Sequence, residues 1–164
     1  MTMNNRWATV FDLWVDGQPK GQPRPRATAI NGRVRVYDSG TAEGWKAQIQ
    51  LAVRPHIQPE PFRCPILLVV SYFLPRPQRL CRRKDPAGPI PHVGKPDLDN
   101  LNKALLDSLV ACGLLADDRW VVALDAWKWW HRKGDGPGAH LRMSALVTEP
   151  VGDDALHGPD CGER

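Results

Sequence analysis

Two pairs of carboxylates flank a predicted helix, and together they could bind a divalent metal ion. Asp97 and Asp99 stand two residues apart before the helix, and Asp117 and Asp118 follow it. Lys103 lies one helical turn beyond Asp99. Mg2+ prefers oxygen ligands and retains several waters, so a few converging carboxylates suffice to hold it. Such an ion polarises a phosphodiester and ionises an attacking water. These residues therefore indicate metal-assisted hydrolysis of phosphodiester bonds.

A single helix must position both acidic pairs. Leu101, Leu105 and Leu109 recur at helical period after Asp99, and an aspartate at the helix start suits the N-cap and the positive end of the helix dipole. Gly113 stands where a left-handed C-cap residue belongs. A strand-like segment over 120–124 comes next. We expect this helix-turn-strand unit to bring the second acidic pair back towards the first.

The same residues have simpler interpretations. Asp-x-Asp-Asn before an apolar helix is often only a cap, and Asp-Asp before a strand is usually a solvated turn. A calcium-binding loop is disfavoured, because Leu101 stands where a third oxygen ligand is needed.

The spacing of this region closely resembles that of the RusA family, which comprises Holliday-junction resolvases of bacteria and their phages. The residues that carry the resemblance are Asp97-Leu98-Asp99-Asn100-Leu101, Lys103-Ala104, Asp107, Gly113, and Asp117-Asp118 before Val121-Val122. Upstream, the Pro/Arg-rich segment 19–26 is similar to one found in many phage-type members. The resemblance covers roughly residues 8–148.

The resemblance implies a site and an activity. It implies that Asp97, Asp99 and Asp118 bind the metal, with Asp117 a weaker candidate, and that Lys103 is the catalytic lysine. It also implies a homodimer with one site per subunit, which cuts four-way or branched DNA with Mg2+, or with Mn2+ in its place. Two alternatives stay open: a catalytically silent junction-binding protein, and a metal-dependent hydrolase of RNA or nucleotides.

The distribution of charge favours a nucleic-acid partner. Residues 1–95 contain 15 lysines and arginines and 6 acidic residues, whereas residues 96–149 contain 6 and 8. A basic surface around a local acidic cluster suits DNA phosphates and a cation. The candidate phosphate contacts are Lys20, Arg24, Arg26, Arg76, Arg79, Arg82, Arg83, Lys84 and Lys95. Most lie in a long insert over 75–96, which we expect to be mobile until it packs along DNA; a solvated loop is the alternative.

Other residue types mainly exclude functions. Cys64, Cys81, Cys112 and Cys161 are scattered, which argues against a zinc site or a disulfide framework. The longest apolar run is far too short to span a membrane, so we expect a protein of the cytoplasm. The resemblance to the RusA family implies that it is encoded by a bacterium or a phage. His92 lies nearest the acidic site, but a lone loop histidine is usually solvated.

The pattern of elements predicts an α+β fold, with a mixed sheet of about five strands flanked by two main helices. We expect strands over 7–15, 33–37, 65–74, 119–131 and 139–148, and helices over 41–56 and 98–112. Residues 1–149 form one domain, and residues 150–164 are expected to be a disordered acidic tail. Trp127 and Trp129 should share one face of their strand, with Trp130 on the other. They could stack on unpaired bases, although a role in the core or dimer interface is favoured.

Overall fold

The computed structural model describes residues 3–23, 26–30, 33–37 and 42–150. The predicted tail beyond Pro150 therefore lies outside the described residues. Within the described ranges the chain forms strands β1 (Met3–Asp16), β2 (Arg26–Ile30), β3 (Arg33–Tyr37), β4 (Ile66–Leu74), β5 (Ile90–Pro91), β6 (Val121–Trp130) and β7 (Gly138–Pro150), and helices α1 (Glu43–Val53) and α2 (Leu98–Ala111). Neither helix is long and apolar enough to cross a membrane.

A five-stranded mixed sheet organises the fold, in the order β1-β7-β4-β6-β5. Strand β4 is parallel to β6 and antiparallel to β7, and β1 pairs with β7 along its whole length. The predicted α+β class, the mixed five-stranded sheet and the two helices are confirmed. The fifth strand differs from expectation, because the strand over 33–37 pairs with β2 in a separate hairpin and the short β5 occupies the edge.

Both helices pack on one face of this sheet. Side chains of β4 alternate between buried and half-buried, as expected for a strand with one covered face. Its buried set includes Leu68, Val70 and Tyr72, which join Leu101 and Leu105 of α2 in the core. The Tyr72 hydroxyl donates to Asn102 Oδ1 over 3.0 Å, and burial raises the pKa of Tyr72, so the hydroxyl stays a donor. These contacts with β4 fix the position of α2 on the sheet.

A buried arginine organises the first part of the insert over 75–96. Only 8% of Arg76 is exposed, and its guanidinium donates to the carbonyl oxygens of Leu80 (2.9 Å), Pro86 (2.7 Å) and Gly88 (3.0 Å). An arginine has no acceptor and loses solvation on burial, so several carbonyls must satisfy its donors. The prediction that Arg76 contacts DNA phosphates is therefore wrong, because its charge faces inwards and holds the loop.

Two lysines attach the rest of the insert to β6 and to the turn after it. Lys133 Nζ donates to the carbonyls of Arg82 (2.5 Å) and Asp85 (2.7 Å). Lys128 Nζ donates to the carbonyls of Gly94 and Pro96, each over 2.7 Å. Together with Arg76, these bonds give the insert a definite path that its irregular sequence does not suggest.

Candidate active site

Asp97 stands at the N-cap of α2 but does not use its side chain as a cap. Its backbone is extended (φ −71°, ψ 149°), its carbonyl accepts from the Leu101 N–H over 3.2 Å, and its side chain makes no capping hydrogen bond. Asp97 is exposed, as is Asp99 in the first turn. Both carboxylates lie at the positive end of the helix dipole, which favours negative charge there. They are therefore available to an external ligand.

Residues 19–23, the described start of the Pro/Arg-rich segment, pack beside this helix end. The Gln22 N–H donates to the Asn100 carbonyl over 2.8 Å. A β-carbon at position 21 would approach Asn100 Cβ to 2.9 Å, so the close contact requires glycine there. The resulting open groove, of about 680 Å³, is lined by Lys20, Lys95 and Asp97 among others. A carboxylate and two ammonium groups thus share one groove.

Lys103 lies on the exposed face of α2, as predicted. Its Nζ is 3.6 Å from Asp107 Oδ1, and 63% of its side chain is exposed. Asp99 precedes it by one turn on the same face. The backbone of Lys103 is therefore one turn from the helix end that bears Asp97 and Asp99, and its ammonium pairs with Asp107, one turn further along the helix.

The second acidic pair lies beside the other half of the helix. Asp117 caps a 3-10 turn, since its Oδ1 accepts from the Arg119 N–H over 2.9 Å. Asp118 is exposed, and both aspartates line a groove with Asp107, Val110 and Ala111. Asp117 thus has the local turn role that the simpler interpretation gave it. The carboxylate of Asp118 makes no hydrogen bond or ion pair with the described residues.

The predicted convergence of both acidic pairs within one chain is wrong. Asp118 lies beside Asp107, Val110 and Ala111. With a rise of 1.5 Å per residue, these three residues are about 14 to 20 Å along the helix axis from the start of α2, where Asp97 and Asp99 stand. No group of three metal-ligating side chains occurs among the described residues. The cause is the turn at Gly113 (φ 78°), after which the N–H groups of Leu114 and Leu115 both bond to the Leu109 carbonyl over 3.1 Å. The chain therefore returns only to the last turns of α2.

The loop that delivers Asp97 is fixed by residues that the sequence did not single out for this role. The His92 N–H donates to the Lys128 carbonyl over 3.0 Å, and Lys128 Nζ binds the carbonyls of Gly94 and Pro96. Asp97 follows Pro96 directly. The sequence offered one indication of this role: Lys128 is a charged residue among the tryptophans of a predicted strand.

His92 is buried rather than solvated, so that expectation is wrong. Only 5% of the residue is exposed, its ring centroid is 3.9 Å from that of Trp130, and its Nδ1 accepts from the Gly94 N–H over 3.1 Å. Burial lowers the pKa of His92, and the nearby Lys128 charge lowers it further. The imidazole is consequently neutral at pH 7 and acts as an acceptor inside the loop.

Most of the candidate phosphate contacts remain available. Six of them are exposed: Lys20, Arg79, Arg82, Arg83, Lys84 and Lys95. Arg24 lies outside the described residues, and Arg26 belongs to β2 but its side chain is outside the described part. Lys20 and Lys95 stand beside Asp97, whereas the other four lie on the first half of the insert.

The fold and the site together define an α+β protein with exposed carboxylates at a helix N-terminus beside a basic loop. Comparison with known families gives a specific match. The family described as "Endodeoxyribonuclease RusA" matches residues 16–142, so the chain belongs to the RusA endodeoxyribonuclease family. This family of nucleases acts on Holliday junctions.

The chain is also similar to a protein from Bacillus subtilis (strain 168). The chain is 29% identical to "Uncharacterized protein YqaN" over 121 residues, which cover 71% of this chain and 84% of the relative. The similarity thus extends over most of both proteins.

Proposed function

We propose that this protein is a homodimeric, Mg2+-dependent endodeoxyribonuclease that resolves four-way DNA junctions by paired symmetric nicks, with Mn2+ able to replace Mg2+. The observation that carries the proposal is the exposed carboxylate of Asp97, which stands at the N-terminus of α2 without capping it, in one groove with Lys20 and Lys95. A carboxylate used only as a cap would bond to the helix N–H groups.

The donor set at this helix end fits a hard divalent cation. Asp97 and Asp99 offer only oxygen ligands, and Mg2+ sites commonly use one or two carboxylates together with waters and substrate phosphates. When bound, such an ion supplies an ionised water and polarises the scissile phosphate. Asp97 and Asp99 would hold it.

The cationic side chains have separate roles in this scheme. Lys20 and Lys95 line the groove beside Asp97, where they would bind the phosphates that flank the scissile bond. Lys103 stands one turn beyond Asp99 and is largely exposed, so its ammonium can offset charge that develops on the phosphate in the transition state.

Asp118 requires a different arrangement, because it lies beside the C-terminal half of α2. In a twofold dimer with antiparallel α2 helices, Asp118 of the partner subunit would approach Asp97 and Asp99. Such a dimer also suits a four-way junction, since each subunit can cut one of two symmetry-related strands. We therefore propose that each site combines Asp97 and Asp99 of one subunit with the second subunit's Asp118.

Mixed dimers test this arrangement. Asp97→Asn and Asp118→Asn should each abolish cleavage when alone, yet subunit exchange between them should restore one intact site and single nicks. If each site lay within one subunit, the mixture would stay inactive. The exchange itself is checked by mass spectrometry of the two dimers.

The activity is tested by incubating a four-way junction, labelled in turn on each strand, with and without Mg2+. We expect nicks at symmetry-related positions on two strands, and their loss in Asp97→Asn and Asp99→Asn with junction binding retained. Asp125→Asn, at an exposed position on β6, is the matched control and should cut normally. Binding without cleavage under every metal condition would contradict the proposal, as would a preference for RNA duplex or free nucleotides.

A further inference from the structure

Trp14 forms a fixed aromatic surface on the sheet face opposite the helices. Its indole lies over Gly138 on the neighbouring strand, where any β-carbon would clash with the ring. The ring reaches across to Phe73 on β4, with centroids 5.5 Å apart, and its Nε1–H donates to Asp16 Oδ1 over 2.8 Å. Despite these contacts, 43% of Trp14 stays exposed. The chain therefore holds a large aromatic ring in place while leaving it open.

Further aromatic rings continue this surface across the sheet. Phe73 pairs in register with Trp129 on β6, and the Trp129 ring stacks with Trp127 at 5.9 Å and an interplanar angle of 14°. We call Trp14, Phe73, Trp129 and Trp127 the aromatic band. Aromatic side chains on an open sheet face are a known way of stacking unpaired bases.

A cleft lies at the Trp14 end of the aromatic band. It has a volume of about 240 Å³, and Trp14 and Phe73 line it together with Pro89, Arg132 and Asp135. Pockets for drug-sized ligands are larger, about 300–1,000 Å³, so this cleft suits a single planar ring system. The carboxylate of Asp135 and the guanidinium of Arg132 would offer an acceptor and donors to its edge.

The loops that border the cleft are strongly basic. Segments 78–90 and 131–137, which Lys133 joins through the carbonyls of Arg82 and Asp85, contain six lysines and arginines and two aspartates. This excess of positive charge is complementary to a phosphate backbone. It disfavours a second copy of the chain on the same surface, because two such loops would repel each other.

We propose that the cleft binds an unpaired nucleotide of the DNA substrate, with its base against Trp14 and Phe73, the edge of that base at Arg132 and Asp135, and its phosphates on the exposed lysines and arginines of the insert. This inference rests on the proposed function in one respect, namely that the ligand is DNA. It does not involve the metal site, and binding in EDTA therefore tests it independently of cleavage.

The experiment measures the affinity of the full-length protein, in EDTA, for a four-way junction with one unpaired nucleotide at its centre and for the fully paired junction. 2-Aminopurine at the unpaired position reports stacking through quenching of its fluorescence. We expect Trp14→Leu to weaken binding of the unpaired substrate by about 5- to 150-fold, as for loss of base stacking, and to abolish the quenching. Phe73→Leu should act in the same direction, and Trp14→Tyr should restore much of both signals.

Trp7→Leu is the matched control, since Trp7 lies on the same strand with similar exposure (45%) but outside the cleft. The proposal is overturned if Trp14→Leu and Trp7→Leu weaken binding equally, if Trp14→Leu affects both junctions alike, or if the wild type does not quench the probe. Wild-type quenching by a protein that never cuts DNA would support this inference while refuting the proposed function. Thermal melting of each variant verifies that it is folded.

Discussion

Replacing Lys128 by methionine tests whether the loop before α2 positions the carboxylates that we propose bind the metal. The substitution keeps the length of the side chain and removes two hydrogen bonds of 2.7 Å, to the carbonyls of Gly94 and Pro96. Hydrogen bonds to a charged group contribute about 1.5–3 kcal/mol each. Because Lys128 is only half-buried and water can reach part of the freed surface, we expect the free energy of unfolding to fall by about 2 kcal/mol rather than by the full sum.

The effect on catalysis should be larger than this loss of stability suggests. Asp97 follows Pro96 directly, so a looser loop displaces the carboxylate from its working position. A misplacement of about 1 Å can cost about 100-fold in rate. We therefore expect Lys128→Met to lower the single-turnover rate of junction cleavage about 100-fold at saturating enzyme, with little change in the affinity for the junction.

Lys133→Met is the control for this prediction. Lys133 also binds two carbonyls of the insert, at 2.5 and 2.7 Å, but these belong to Arg82 and Asp85, far along the chain from Asp97. It should lose similar stability and still cut at nearly the wild-type rate once the junction is bound. Equal losses of rate in both variants, or wild-type cleavage by Lys128→Met, would refute the positioning role.

Three further predictions concern other charged groups. Lys103→Ala should lower the single-turnover cleavage rate by about 100- to 1,000-fold without weakening junction binding, and Lys103→Arg should restore only part of the rate. Neutralising Arg82, Arg83 and Lys84 together should reduce the slope of log affinity against log salt by up to about 2.7, and an unchanged slope in salt titrations would show that the insert does not touch phosphates. Because the pKa of His92 is lowered from 6.5, the native state binds fewer protons than the unfolded chain as pH falls through that value. The free energy of unfolding should therefore decrease as pH falls below about 6.5, and urea titrations should give a shallower decrease in His92→Gln.

The sequence predicted those parts of the fold that depend on local patterns. The apolar, β-branched run of β4 and the helical period of Leu101, Leu105 and Leu109 were sufficient to place the central strand and α2. Gly113 was correctly assigned to the end of α2, because a residue with positive φ is needed there. Strand β1 begins four residues before its predicted start, because its first residues pair with the distant residues 147–150 of β7.

The candidate site was predicted only where its residues are neighbours in the chain. Asp97 and Asp99 share a helix end, so their spacing already placed them together. Asp118 depends on how far the chain returns after Gly113, which the bonds from Leu114 and Leu115 to the Leu109 carbonyl decide. Spacing alone does not determine the length of that return.

The sequence also did not reveal which basic residues of the insert are buried and which are exposed. Arg76 and Arg82 have the same side chain in the same segment, yet Arg76 binds three carbonyls inside the loop while Arg82 is exposed. What separates them is the supply of unpaired backbone carbonyls, which exists only after the loop has folded against β6 and the turn that follows it. A buried cation without such acceptors would cost several kcal/mol, so these bonds are a condition of its burial. A basic composition therefore predicts a DNA-binding loop, but only the path of the backbone decides which cations face the DNA and which ones build the loop that presents them.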